Sequence, residues 1–139
     1  MKDRFPDRTP IETDLADATA FPVHGAPVLV LFLYNSFRAA LIEKLITRIE
    51  QALSGPNVPR LFLVYYNPVH HGLFDARAAL SRYCAERMTF DDAEAITSPF
   101  SNTFDSVVIY QGGPDPRPSL AGAERGITIP DFGANVDAA

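Results

Sequence analysis

Two asparagines stand at positions where a chain could orient a substrate. Asn35 and Asn67 each follow directly after an apolar run that ends in tyrosine. An asparagine amide offers one group that accepts hydrogen bonds and one that donates them. At Asn35 it could accept the N–H of a substrate and aim the nitrogen lone pair, which accelerates a displacement without proton transfer. Simpler roles stay open, because Asn35 can cap a helix and asparagine before proline commonly opens a turn.

The two apolar runs determine where these amides lie. The runs are Val28 to Tyr34 and Leu61 to Tyr66, and such uninterrupted apolar runs are typical of parallel strands with both faces buried. They predict strands at about Val28 to Tyr34 and Arg60 to Tyr66. Between them an amphipathic helix is predicted from about Arg38 to Leu53, ended by Gly55-Pro56. Strand, helix and strand form a βαβ unit, so both asparagines are expected at the carboxyl edge of one sheet. Open α/β sheets bind their ligands at that edge.

The rest of the chain predicts three further elements. A second helix is expected at about Gly72 to Glu86, with Cys84 on its apolar side. A weak strand is expected within Arg87 to Ile96, and a last strand at about Phe104 to Gln111. The expected organisation is a polar amino-terminal segment over residues 1–27, an α/β core over 28–111, and a flexible tail rich in proline and glycine over 112–139.

Composition excludes several classes of function. The chain has 139 residues, enough for one domain or part of one, and a net charge of −5 that argues against broad binding to nucleic acid or anionic membranes. The first twenty residues lack the pattern of a signal peptide, and the longest apolar run is too short to cross a membrane. Cys84 is the only cysteine, so an internal disulfide is impossible. We therefore expect a cytoplasmic protein.

Two short motifs resemble those of a known enzyme family. Tyr34-Asn35-Ser36-Phe37 resembles the sequence that closes the fourth strand of class I S-adenosylmethionine-dependent methyltransferases, and Asp17-Ala18-Thr19 resembles the turn with which those enzymes contact the cofactor's adenine. The order of elements over residues 11–111 is similar to the carboxyl-terminal half of that fold, which ends in an antiparallel hairpin. The resemblance implies a partial Rossmann-like α/β sheet with a βαβ core.

The resemblance also implies roles for individual residues. The carboxylate of Asp17 would accept a hydrogen bond from the adenine amine, and the backbone N–H of Ala18 would meet a ring nitrogen. Asn35 would orient the methyl-accepting atom. The expected site residues are Asn35 for catalysis, Asp17, Ala18 and Tyr34 for S-adenosylmethionine binding, and Phe37, Asn67 and His70 for substrate contact. No metal site is expected, because His70 and His71 have no further ligand at suitable spacing.

Two departures from the family pattern limit these implications. Ser36 stands where the family usually has proline, and the chain contains no Gly-x-Gly for the methionine portion of the cofactor. There is also no room before Ile11 for two strands and two helices. The resemblance thus implies a truncated domain that alone neither binds the cofactor nor transfers a methyl group. The methyl acceptor, whether a small molecule or a protein, is not indicated.

An incomplete sheet has a consequence for partners. One edge of the strand at Val28 to Tyr34 would lie open, so we expect self-association or a completing chain, unless residues 11–20 fold back over it. The alternative function is a non-enzymatic α/β binding or scaffold module of receiver-like or flavodoxin-like shape, with a self-sufficient sheet. Cofactor binding would distinguish the two.

Overall fold

The computed structural model describes residues 17–20, 26–34, 37–97 and 103–130. They form a mixed α/β fold with one sheet of four strands. The elements in chain order are a 3-10 turn at Ala18–Ala20, β1 at Val28–Tyr34, α1 at Ala39–Ser54, β2 at Arg60–Tyr66, α2 at His71–Asp75, β3 at Ser81–Thr89, α3 at Asp92–Thr97 and β4 at Phe104–Gly112.

The order of the strands in the sheet is β1-β2-β4-β3. β1 and β2 are parallel, with Val28 opposite Arg60 and Tyr34 opposite Tyr66. β4 is antiparallel to both β2 and β3. The prediction of a βαβ unit with two co-directional strands is therefore confirmed, and β1 and β2 have the bounds that the sequence predicts.

Helix α1 forms the main core together with one face of the sheet. Its buried side chains are Ile42, Leu45, Ile46 and Ile49. They meet the buried apolar side chains of β2 and β4, which are Leu61, Leu63, Tyr65, Val108 and Tyr110. Burial of each such aliphatic side chain stabilises the fold by roughly 1.5–3 kcal/mol. The predicted helix is confirmed, with each end shifted by one residue.

Strand β1 is buried on one face only. Leu33 is buried, and Leu29 and Leu31 pack against the core. On the opposite face Val30 is 62% exposed and Phe32 is 68% exposed. The expectation that both faces of this strand are buried is therefore wrong, because β1 lies at the edge of the described sheet and α1 covers one side of it.

The expectations for residues 72–96 are also wrong. The expected helix at Gly72 to Glu86 is divided between the short α2 and β3, and the expected strand at Arg87 to Ile96 is divided between β3 and α3. β3 pairs along its length with β4, and this pairing overrides the helix-forming character of its alanine, arginine and glutamate. A bulge between Arg82 and Cys84 interrupts the alternation that would otherwise reveal the strand.

Residues 113–130, which the sequence predicts to be a flexible tail, contain no helix or strand but contact the sheet. Gly113 opens this segment at a φ of 88°, and a Cβ there would meet the backbone of Pro59, so only glycine fits. The amide of Leu120 donates to the carbonyl of Tyr83 at 2.8 Å. Further along, Ala123 is 2% exposed. The segment therefore bonds to the outer edge of β3 through residues 119–120, whereas Ile127 packs against the core and Thr128 accepts a hydrogen bond from Ser106 of β4.

Candidate functional site at the carboxyl ends of β1 and β2

The carboxyl ends of the two parallel strands meet, as the sequence predicts. Tyr34 lies opposite Tyr66, and their rings stack with centroids 5.3 Å apart and an angle of 20° between the planes. Offset stacking of this kind adds about 0.5–1.5 kcal/mol beyond the area that it buries. Asn35 follows Tyr34 but lies outside the described residues, so its catalytic role remains a prediction.

Asn67 is fully buried and its amide bonds to β4. Its Nδ2 donates to Oδ1 of Asp105 at 2.8 Å, and its Oδ1 accepts from the backbone N–H of Ser106 at 3.0 Å. The residue has a φ of 47°, a left-handed conformation that asparagine adopts more readily than most residues. Asn67 thus fastens the end of β2 to the start of β4. A contact between this amide and a substrate remains a prediction.

Asp105 connects this amide to the aromatic pair. It is 8% exposed and accepts a hydrogen bond from the hydroxyl of Tyr66 at 2.5 Å. Burial, together with the hydrogen bond to Asp105 and its charge, raises the pKa of Tyr66 far above its ordinary value. The hydroxyl therefore stays protonated near neutral pH and holds the ring of Tyr66 against Tyr34.

Asp17 immediately precedes the 3-10 turn, which contacts α1. Its Oδ1 accepts from the backbone N–H of Thr19 at 2.9 Å and from the Thr19 hydroxyl at 2.7 Å. These two hydrogen bonds lower the pKa of Asp17, and the charge of Lys44 adds to the effect. The exposed carboxylate is therefore ionised and suited to accept a hydrogen bond from an amine. Ala18, the second residue expected at the adenine, is the first residue of the turn.

The two remaining residues expected to contact a substrate, Phe37 and His70, lie in different parts of the fold. Phe37 is partly buried and packs against the core beside α1. His70 precedes α2, and its backbone N–H donates to the hydroxyl of Tyr65 at 3.3 Å. Both residues follow strand ends, as expected. Whether either contacts a substrate remains a prediction.

Sequence reasoning missed a charged network beside α2. Asp75 forms two hydrogen bonds with Arg82, each 2.7 Å long, and accepts a third from the hydroxyl of Tyr110 at 2.9 Å. Nδ1 of His71 lies 2.9 Å from the same carboxylate. Burial opposes ionisation, but the bonds from Arg82, His71 and Tyr110 outweigh it and lower the pKa of Asp75 to about 2. The sequence signal for this network was the four-residue spacing of His71 and Asp75, which places the two residues on the same face of a helix.

This network attaches residues 123–125 to β3. Nη1 of Arg82 donates to the carbonyls of Ala123 and Arg125, at 3.3 and 2.8 Å. Burial and the charge of Asp75 raise the pKa of Tyr110, which therefore remains a donor near neutral pH. With Asp75 ionised and Tyr110 protonated, neither group is suited to exchange protons near neutral pH. The network joins α2, β3 and β4 to residues 113–130.

Other kinds of site find little support in the part of the chain that the structure describes. No group of three histidine, cysteine or acidic side chains there could hold a metal ion. None of the described helices is long and apolar enough to cross a bilayer. A cavity of about 230 Å³ lies between β3, β4 and residues 125–128, and an ion pair between Glu86 and Arg125 at 3.3 Å borders it.

Comparison with known proteins gives no assignment. No family model, no curated protein and no solved structure matches this chain.

Proposed function

We propose that the chain is the carboxyl-terminal half of a methyltransferase-type α/β domain and binds S-adenosylmethionine only when a second half completes the sheet. The observation that carries this proposal is the position of β1. Its seven residues are apolar or aromatic throughout, which suits the middle of a parallel sheet, yet the described sheet pairs β1 on one side only. The exposed side chains of Val30 and Phe32 are those that a completing half would cover.

Two further features agree with the resemblance in sequence. The parallel β1–α1–β2 unit is followed by an antiparallel pair, β3 and β4, at the far side of the sheet. The carboxyl ends of β1 and β2 share one edge, where the stacked rings of Tyr34 and Tyr66 form a rigid surface. Asn35, the residue proposed to orient the acceptor, directly follows Tyr34 in the sequence.

The proposed chemistry is a displacement that requires alignment. In methyl transfer, the acceptor's lone pair forms a bond to the methyl carbon while the bond from that carbon to sulfur breaks and its electrons stay on sulfur. S-adenosylmethionine would supply the methyl group, and Asp17 would hold the adenine through its ionised carboxylate. Asn35 would orient the acceptor atom, with Tyr34 and Phe37 bordering the site. Alignment alone supplies a large part of the acceleration in such reactions.

Calorimetric titration tests both parts of the proposal. We expect the chain alone to show no binding of S-adenosylmethionine tighter than about 1 mM. Residues 17–139, fused behind the first three strands and helices of a class I methyltransferase, should bind it. In the fusion, Asp17→Ala should weaken binding about tenfold, because a charge-assisted hydrogen bond is lost, while Glu124→Ala should not.

Two results would contradict the proposal. Tight binding by the chain alone would show that it already contains a complete cofactor pocket. A fusion that is folded by circular dichroism and still fails to bind would show that this chain does not contribute half of such a pocket.

The alternative is a binding module without catalysis. It is favoured by the hydrogen bonds of Asn67. The amide oxygen and nitrogen of this residue both bond within the protein rather than to a substrate. In that case the exposed face of β1 would dock a protein partner. The folded fusion distinguishes the alternatives, because a binding module would gain no affinity for the cofactor.

A further inference from the structure

We infer that β1 is a self-complementary docking edge, through which two copies of this chain pair antiparallel about a twofold axis at Leu31. The pairing is argued only from the backbone direction and side chains of β1, but it occupies the edge that the proposed completing half would join, so a chain joined to that half could not form it. It goes beyond a general tendency to self-associate, because it specifies the strand, the direction and the register.

The backbone of β1 has hydrogen-bonding groups to offer. In a parallel pair, alternate residues point their peptide groups toward the neighbouring strand and the others point away. The carbonyl of Pro27 accepts from the N–H of Arg60 at 2.9 Å, which fixes the odd-numbered residues of β1 as those that bond to β2. Val30 and Phe32 therefore point their N–H and C=O groups outward, at a strand edge that nothing in the described sheet pairs.

One register uses the whole strand. With Leu31 opposite Leu31 of the second copy, Val30 lies opposite Phe32 and all seven residues of each strand are paired. Outward residues then face outward residues, so each such pair can form both backbone hydrogen bonds. A slip by one residue would set outward groups against inward ones, and a slip by two would leave two residues of each strand unpaired.

The side chains fit this register as well. On the exposed face it brings the β-branched Val30 beside the aromatic Phe32 of the second copy, which is a favourable cross-strand pair. β1 contains no charged residue, so no like charges meet across the axis. It also lacks the devices that usually block edge pairing, namely charge, proline within the strand and a bulge.

The size of the contact sets the expected strength. Val28, Val30, Phe32 and Tyr34 are 50, 62, 68 and 48% exposed. If a complete aromatic side chain covers about 150–250 Å², these four expose on the order of 400 Å² per copy. Because pairing at the edge covers only part of this area, the total lies below the ~1,200–2,000 Å² of stable interfaces, so a reversible dimer is expected in the range of about 1–100 μM.

Sedimentation velocity over that range of concentrations tests the pairing. The dimer fraction of the parent chain should rise with concentration, and Phe32→Lys should weaken association at least tenfold by placing a charge at the edge. Ile96→Lys is the matched control, because Ile96 is 83% exposed but lies on α3, and it should leave association unchanged. Circular dichroism of both variants should match the parent.

Cysteine cross-linking tests the register. In a Cys84→Ala background, Leu31→Cys should give covalent dimers under mild oxidation, because the twofold pair has Cα atoms about 4.5 Å apart, within disulfide range. Leu29→Cys alone should not cross-link, because it faces Leu33 of the second copy. A mixture of Leu29→Cys and Leu33→Cys chains should.

Three results would overturn the inference. A parent chain that stays monomeric at 100 μM or so excludes the pairing, while leaving the cofactor titration of the fusion unaffected. Association that survives Phe32→Lys places the contact elsewhere. Cross-linking of Leu29→Cys with itself indicates a parallel, in-register contact.

Discussion

The two edges of this sheet are treated in opposite ways. β1 presents apolar side chains, and no strand or loop of the described chain pairs with its outer edge. β3 carries charged side chains and a bulge, and residues 119–120 bond to its outer edge. There the hydroxyl of Ser119 donates to the carbonyl of Arg82 at 2.7 Å, and Leu120 bonds to Tyr83. These are the usual means of protecting a strand edge.

The difference concerns how accessible each edge is to a further strand. Residues 119–120 bond to one edge of the sheet, whereas the other edge is apolar and has no partner strand in the described sheet, so a further strand is added more readily at β1. At the protected edge, stability comes from charge and from hydrogen bonds. At the open edge it comes from the single layer formed by α1. The experiments below separate these two contributions, in order of decreasing effect.

The largest effect is expected at the layer beneath β1. Leu45 of α1 is 5% exposed, and Leu45→Asp would bury a carboxylate with no partner, which costs several kcal/mol. We expect the variant to lose its helical circular dichroism and its cooperative thermal transition. Gln51→Asp adds the same charge at an exposed position of the same helix and should remain folded. A folded Leu45→Asp protein would refute the dependence of the core on α1.

A smaller effect is expected at the charged network beside β3. Asp75→Asn removes the partner of Arg82 and should lower the free energy of unfolding by about 2 kcal/mol in urea titrations at pH 7. Glu124→Gln, at an exposed loop position, should change it by less than about 0.5 kcal/mol. Equal effects of the two substitutions would show that the network does not stabilise this edge.

The difference in stability between the parent and Asp75→Asn should depend on pH, and the pKa of Asp75 determines the sign of that dependence. The pKa of Asp75 falls from 3.8 to about 2 on folding, so its ionised form stabilises the protein above pH 4 or so. This contribution is lost as the pH falls through the folded value. The difference in stability between the parent and Asp75→Asn should therefore shrink as the pH falls from about 4 to 2. A difference that persists at the lowest pH would exclude this origin.

The smallest effect is expected where residues 113–130 meet β3. Ser119→Ala removes one hydrogen bond to a backbone carbonyl, worth about 0.5–1.5 kcal/mol. We expect faster cleavage within residues 113–130 in limited proteolysis and little change in global stability. Ser81→Ala, at the exposed start of β3, should not alter the cleavage rate. Similar rates for both variants would show that this hydrogen bond does not hold the segment.

Sequence reasoning succeeds where structure is local. β1, β2 and α1 follow from two apolar runs and a four-residue repeat, and β4 follows from the block around Val107 to Tyr110. β3 fails because it is an edge strand with polar, helix-favouring residues whose alternation is broken at the bulge. Its pairing with β4 is a long-range interaction that no local pattern encodes.

The candidate site likewise has a part that the sequence predicts and a part that it does not. The shared edge of Tyr34 and Tyr66 follows directly from two parallel strands. The burial of Asn67 does not, because its partners Asp105 and Ser106 belong to a strand that inserts beside β2 from a distant part of the sequence. The Asp75 and Arg82 pair depends on the same insertion, since both bond to elements that β4 positions.

The strand order also determines the sequence of assembly as the chain leaves the ribosome. β1, α1 and β2 can associate as soon as residue 66 emerges, because they are neighbours in the chain and in the sheet. β3 is made next but has no strand to join, since β4 separates it from β2. One edge of β2 and both edges of β3 therefore lack a partner strand until residues 104–112 are synthesised and form β4 between them.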